Sequence, residues 1–221
     1  MGLYQACIFD LDGTLADTLG SIAYFGNSTL KAFGLPEIPT ERYKRLVGNG
    51  ADVLMARMLR EVGAAFSPQE TARFRAAYDR RYESEPLKWV TSYPGLPQLL
   101  AGLQGQGLRL GVVSNKPDNM ARAVAESLYG GLLQAVHGQR PGVPKKPDPT
   151  AVLETAQELA TPPERVLYIG DSGVDMQTGR NAGMDTCGVL WGFRDRAELV
   201  ENGAKYLAAD AAELKGIIDK H

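Results

Sequence analysis

Cysteine is scarce in this 221-residue sequence: Cys7 and Cys187 are the only two, and each lies inside an apolar run. A disulfide framework or a cysteine-rich zinc site is therefore set aside. Histidine is as rare, with His137 and the terminal His221 alone. A Ser-His-Asp triad or a multi-histidine metal site would have to be built around His137 almost by itself. No apolar run approaches the roughly 18 residues that a membrane span needs. The stretch 1–9 lacks the basic start of a signal peptide and runs straight into charged residues. Asn27-Ser28-Thr29 fits a glycosylation pattern, but without an export signal it reads as chance. A soluble, cytoplasmic protein with no membrane partner is expected. An excess of either charge is also missing, with 24 basic against 26 acidic residues. That balance argues against a nucleic-acid partner held by overall positive charge. Any catalysis must fall on carboxylates, lysines, hydroxyls and backbone groups.

Familiar nucleotide motifs are missing too. There is no GxxxxGK[ST] loop. The glycines at 102, 105 and 107 precede an apolar run, whereas a dinucleotide fingerprint follows one. Gly170-Asp171-Ser172-Gly173 has the start of a nucleophile elbow, but Val174 stands where that motif wants glycine.

What the chain does have is enough apolar material for a sizeable core, 44% hydrophobic residues, arranged with regularity. At about 150 residues per domain, its length suits one large domain or one domain with an insertion. Short apolar runs at 6–9, 108–113, 133–137, 166–169 and 186–190, with a further candidate at 205–207, read as strands buried on both faces. Helical stretches separate them near 96–104, 119–128, 150–159, 174–182, 197–200 and 211–218. Such alternation predicts an α/β fold: a doubly wound parallel sheet, Rossmann-like, covered by helices on both faces. From 16 to 85 the alternation stops. Helical patterns at 21–33, 51–62 and 68–82 predict an inserted helical cap, leaving 1–15 and 86–221 as the α/β core.

Two acidic clusters sit at the ends of predicted strands, Asp10 with Asp12 and Asp171 with Asp175. Parallel strands present their carboxyl ends along one edge, where ligands of such folds bind. Four converging carboxylates repel, and a hard cation with oxygen ligands, Mg²⁺, is the natural counterweight. The alternative is that these acids form turns and cap helices, as Asp commonly does. Ser114 and Asn115 end another strand, and Lys145-Lys146-Pro147-Asp148-Pro149 brings ammonium groups just before a helix. A hydroxyl, backbone N–H groups, a lysine and a metal together suit a phosphate. Taken singly, Ser114 also fits a helix cap and the two lysines a solvated pair. Lys146 is the better phosphate candidate because the flanking prolines fix its direction.

Asp10-Leu11-Asp12-Gly13-Thr14-Leu15, Ser114-Asn115, Lys146-Pro147-Asp148-Pro149 and Gly170-Asp171-Ser172-Gly173-Val174-Asp175 resemble, in order, the four motifs of the haloacid dehalogenase-like superfamily. The resemblance covers essentially the whole chain, and the helical insertion stands where that superfamily carries its helical cap. It implies that Asp10 attacks phosphorus to form an aspartyl-phosphate. Asp12 would protonate the leaving oxygen and then activate water. Mg²⁺ would be held by Asp10, the backbone carbonyl of Asp12 and Asp171, with Asp175 directly or through water. Ser114, Asn115 and Lys146 would bind the phosphoryl group. An acid at position 12 implies a phosphatase or phosphomutase, since the transport ATPases carry threonine there and the dehalogenases and phosphonate-cleaving members lack the acid.

The segment 45–54 resembles the cap segment of phosphoglycolate phosphatases, with Gly48, Asn49 and Gly50 as a substrate loop. An ordinary turn between helices is the alternative. Arg45 is a candidate grip for a substrate carboxylate, or lies on a solvated helix face with Arg42 and Lys44. The resemblance thus implies a Mg²⁺-dependent phosphatase of a small phosphate monoester, phosphoglycolate foremost, acting as monomer or homodimer. A sugar-phosphate phosphatase, a β-phosphoglucomutase-like enzyme and a non-catalytic phospho-ligand binder are the alternatives.

Overall fold

The computed structural model describes residues 2–220. Its first strand, β1 (Ala6–Phe9), is buried at every position. Cys7 and Phe9 join the apolar cluster on one face of the sheet, and Ala6 and Ile8 join the cluster on the other. A strand with two buried faces needs this unbroken apolar run, and its parallel neighbours read the same way.

After β1 the chain forms a two-residue strand, β2 (Ala16–Asp17), then leaves the sheet as helices α1 (Leu19–Ala32), α2 (Tyr43–Leu46), α3 (Ala51–Glu61) and α4 (Pro68–Ser84). These pack on one another through Phe25, Leu30, Tyr43, Met55, Met58 and Phe74, an apolar cluster of their own. The start of α4 is fixed locally: Ser67 and Glu70 form a reciprocal capping box, followed by Pro68 in the first turn. The chain returns through β3 (Thr91–Ser92), which pairs antiparallel with β2. The predicted helical stretch therefore begins with two extended residues, too short a segment to show a period of two. The single turn α2 also escapes the 3.6-residue pattern, for the same reason.

The remaining elements alternate: α5 (Leu96–Gly105), β4 (Arg109–Pro117), α6 (Asp118–Tyr129), β5 (Ala135–Gln139), α7 (Thr150–Glu158), β6 (Val166–Gly170), α8 (Gly173–Asn181), β7 (Asp185–Val189), α9 (Arg196–Glu201), β8 (Tyr206–Ala208) and α10 (Ala211–Lys220). The sheet runs β5-β4-β1-β6-β7-β8, with every neighbouring pair parallel. This is the doubly wound α/β sheet the alternation predicts. The order reverses around β1, with β4 on one side and β6 on the other. Crevices at such reversals, beyond the carboxyl ends of the strands, are where α/β sheets place their sites.

Candidate active site

Three acids meet beyond that edge. One carboxylate oxygen each from Asp10, Asp171 and Asp175 lies within 4.8 Å of the others, and all three residues are buried. Asp10 follows β1 directly, its N–H donating to the Ile169 carbonyl of β6 at 2.8 Å. Asp171 follows β6, and its Oδ2 accepts from the Phe193 N–H at 2.7 Å. Asp175 sits in the first turn of α8 and forms a capping box with Ser172. Its Oδ2 accepts from the Ser172 N–H at 3.1 Å and from the Ser172 hydroxyl at 2.5 Å. Close approach of the loops depends on Gly13, at φ +88°. A Cβ there would lie 2.3 Å from Asp171 Oδ2.

Lys146 is driven into this cluster. Its ammonium lies 2.8 Å from Asp10 and 2.7 Å from Asp175, with side-chain exposure of 3%. It also donates to the Val113 carbonyl at 3.0 Å and the Tyr168 hydroxyl at 3.2 Å. Burial alone would lower its pKa, but Asp10 and Asp175 outweigh burial and hold it well above the ordinary lysine value. One ammonium does not balance three buried carboxylates. Burial first, then the Asp175 charge, raises Asp10 to about 7 against the partial relief from Lys146. Burial with Asp175 and Asp10 likewise lifts Asp171 well above the carboxylate range. An all-oxygen donor set with excess negative charge fits a hard divalent cation such as Mg²⁺.

Ser114 and Asn115 stand at the end of β4, both buried. The Asn115 side chain is a bracket. It accepts from the Lys146 N–H at 3.0 Å and donates to the Gly48 carbonyl at 3.1 Å, so it joins the lysine loop to the loop after α2. A cavity of about 70 Å³ opens between this edge and the helices. Asp10, Asp12, Ser114, Asn115 and Asp171 form its floor, while Gly48, Gly50, Leu54, Tyr78 and Tyr82 line its roof.

Arg45 and Asn49 do not line that cavity. They line a neighbouring groove with Lys44, Arg57 and Arg194. The reason is helical geometry: Tyr43 and Leu46 are the buried residues of α2, so position 45 turns outward. The basic residue that does line the cavity is Lys116, two positions after Ser114. It donates to Asp12 at 3.1 Å and to the Tyr82 hydroxyl at 2.8 Å. Phe193 and Arg194 are further residues that motif reading passes over. Phe193 walls the cavity, and the Arg194 guanidinium donates to the Lys44 and Val47 carbonyls of the helical insert. A lysine ending an apolar strand beside acidic strand ends is the signal that could have exposed Lys116. Nothing comparable marks Arg194 in the sequence.

A parallel α/β sheet with buried acids at its switch point, roofed by an inserted helical bundle, is the architecture of a class of hydrolases. The model of the haloacid dehalogenase-like hydrolases matches residues 7–189, and the chain belongs to that family. Among similar proteins, a phosphoglycolate phosphatase of Aquifex aeolicus is 31% identical over 98% of both chains. An N-acetylmuramic acid 6-phosphate phosphatase of Pseudomonas aeruginosa is 30% identical over 98% of this chain and 95% of its own. A crystal structure from Lactobacillus delbrueckii subsp. bulgaricus, provisionally designated a phosphoglycolate phosphatase, superimposes with a TM-score of 0.93. It is 29% identical, and 99% of each chain is covered.

Proposed function

We propose that the protein is a Mg²⁺-dependent phosphatase that hydrolyses phosphoglycolate, or an ester of similar size, through an aspartyl-phosphate on Asp10. The observation that carries this reading is the meeting of Asp10, Asp171 and Asp175, with Lys146 paired to Asp10 and Asp175, beneath a roofed cavity that Asp10 and Asp171 line. Residues 16–85 act as the cap, and residues 1–15 with 86–221 carry the chemistry.

Asp10 is the nucleophile: its carboxylate attacks phosphorus as the ester oxygen departs. Asp12, on the same loop and lining the cavity, donates a proton to that oxygen and later takes one from the attacking water. Ser114, the Asn115 backbone and Lys146 hold phosphoryl oxygens, so negative charge developing there meets donors already in place. Asp10, Asp171 and the backbone carbonyl of Asp12 would hold Mg²⁺, with Asp175 beside them, and its charge would let an anionic carboxylate approach an anionic phosphate.

The two named phosphatase relatives differ in substrate size but hardly in identity to this chain. The ester would sit in the cavity between the sheet edge and the helices. Arg45 faces away from it, so recognition of a carboxylate falls to the backbone of Gly48 and Gly50, or to Lys116. The test is phosphate release from a panel of phosphate esters with Mg²⁺ and with excess chelator. Highest kcat/KM on phosphoglycolate and loss of turnover on chelation are expected. Full activity in chelator overturns the metal-assisted reading, and preference for a sugar phosphate overturns the substrate.

A further inference from the structure

Two buried lysines divide the acids of this site between them. Lys146 takes Asp10 and Asp175. Lys116, with side-chain exposure of 3%, takes Asp12. Its ammonium lies 3.1 and 3.4 Å from the two Asp12 oxygens and spans the carboxylate. Among the described residues, Lys116 is the one hydrogen-bond donor to that carboxylate. Its other partner belongs to the helical insert: the Tyr82 hydroxyl of α4 accepts from Lys116 at 2.8 Å. Tyr82 is itself anchored there, stacked on Phe25 at 4.9 Å and set edge-on to Tyr78 at 5.6 Å.

We infer that Lys116 is a positioning residue that aims the Asp12 carboxylate, and that the Tyr82 hydroxyl of α4 holds the Lys116 ammonium in place to do so. The inference rests on the phosphatase reading above, in which Asp12 exchanges protons with the leaving oxygen and with water. A carboxylate tethered through both oxygens to a buried ammonium cannot swing away from the ester. The ammonium is in turn fixed by the Tyr82 hydroxyl of α4. An alternative task for the same ammonium is to bind the carboxylate of the substrate.

Three substrates separate these roles. Phosphoglycolate and ethyl phosphate both release poor alkoxide leaving groups that need a proton, but only the first has a carboxylate. p-Nitrophenyl phosphate releases a stable phenolate and needs no proton. Because kcat/KM reports events up to the first irreversible step, it isolates leaving-group departure from later hydrolysis of the phospho-enzyme. General acid catalysis is worth about 10²- to 10⁴-fold, and misaiming forfeits part of it. Lys116→Met is expected to lower kcat/KM about 10- to 100-fold for phosphoglycolate and ethyl phosphate alike, and under about threefold for p-nitrophenyl phosphate. Tyr82→Phe keeps the ring stack and removes only the hydroxyl. It should show the same pattern at about 3- to 10-fold, and it tests the link if Lys116→Met does not fold. A loss confined to phosphoglycolate makes Lys116 a reader of substrate and overturns the positioning role. So does an equal loss on all three substrates, or no loss. A wild-type protein inactive on all three overturns the phosphatase reading and this inference together, whereas unchanged ratios in an active enzyme overturn this inference alone.

Discussion

Replacing Lys146 with methionine removes one charge and little volume, so its consequence can be worked from the contacts alone. The ammonium sits between Asp10 and Asp175 at 2.8 and 2.7 Å, and the Lys146 and Asp175 side chains are almost wholly buried. Breaking a buried ion pair by removing one partner costs about 3–5 kcal/mol, because the other charge is stranded. For a chain of this size each kcal/mol moves the melting temperature by about 2–4 °C, so metal-free Lys146→Met should melt about 6–20 °C below wild type at pH 8. The deficit should depend on pH. Asp10 titrates near 7 in the folded protein against an ordinary value of 3.8. A carboxyl with a raised folded pKa is most compatible with the fold when neutral, so by pH 5 it takes up a proton and needs the ammonium less. Calorimetry in EDTA at pH 5 and pH 8 measures both effects, with circular dichroism confirming a folded variant. A shift under about 2 °C at pH 8, or an equal deficit at both pH values, would refute the claim that Lys146 neutralises a desolvated acid cluster.

The same linkage predicts that wild type without metal loses stability as pH rises from about 4 through about 7, the range between the ordinary and folded pKa of Asp10. The melting-point gain from Mg²⁺ should therefore be larger at pH 8 than at pH 5, and a pH-independent gain contradicts the electrostatic account. Asp10→Asn should abolish turnover while leaving the fold intact; a residual rate above about a tenth of wild type would replace covalent attack by direct attack of water. Gly13→Ala would place a Cβ 2.3 Å from Asp171 Oδ2 at a left-handed φ, so Mg²⁺ activation should need a higher concentration and kcat should fall; an unchanged Mg²⁺ titration counts against that close approach. Cys187 lies buried in β7 with its thiol pushed up to about 12 by burial, and Cys7 is shifted the same way, so native protein should resist iodoacetamide and react only after denaturation.

The sheet was legible because parallel strands buried on both faces leave unbroken apolar runs, as 6–9 and 166–169 do. The acids were legible because Asp10 and Asp171 stand at the ends of such runs, with Asp12 two and Asp175 four positions further on. Strand order was not, since periodicity says nothing about which strands pair. The strands β2 and β3 and the helix α2 were too short to carry a period. Arg45 looked suitable beside a glycine loop, yet the buried pair Tyr43 and Leu46 turn it away from the cavity. The reverse holds for Lys116, which follows two motif residues and looks like an ordinary strand end. Its role depends on meeting Tyr82, 34 positions earlier in the chain, a contact no local pattern announces.

The ribbon of β2 and β3 has a consequence for how such a protein can change over time. Ala16 pairs with Ser92 and Asp17 with Thr91, so the chain leaves the sheet and re-enters it at one place. A loop whose ends are already pinned together adds only about 0.6 kcal/mol for each doubling of its length. Helices between those ends can therefore be lengthened, trimmed or exchanged with little penalty to the sheet. The side chains at the strand ends and the roof above them can then change independently of one another.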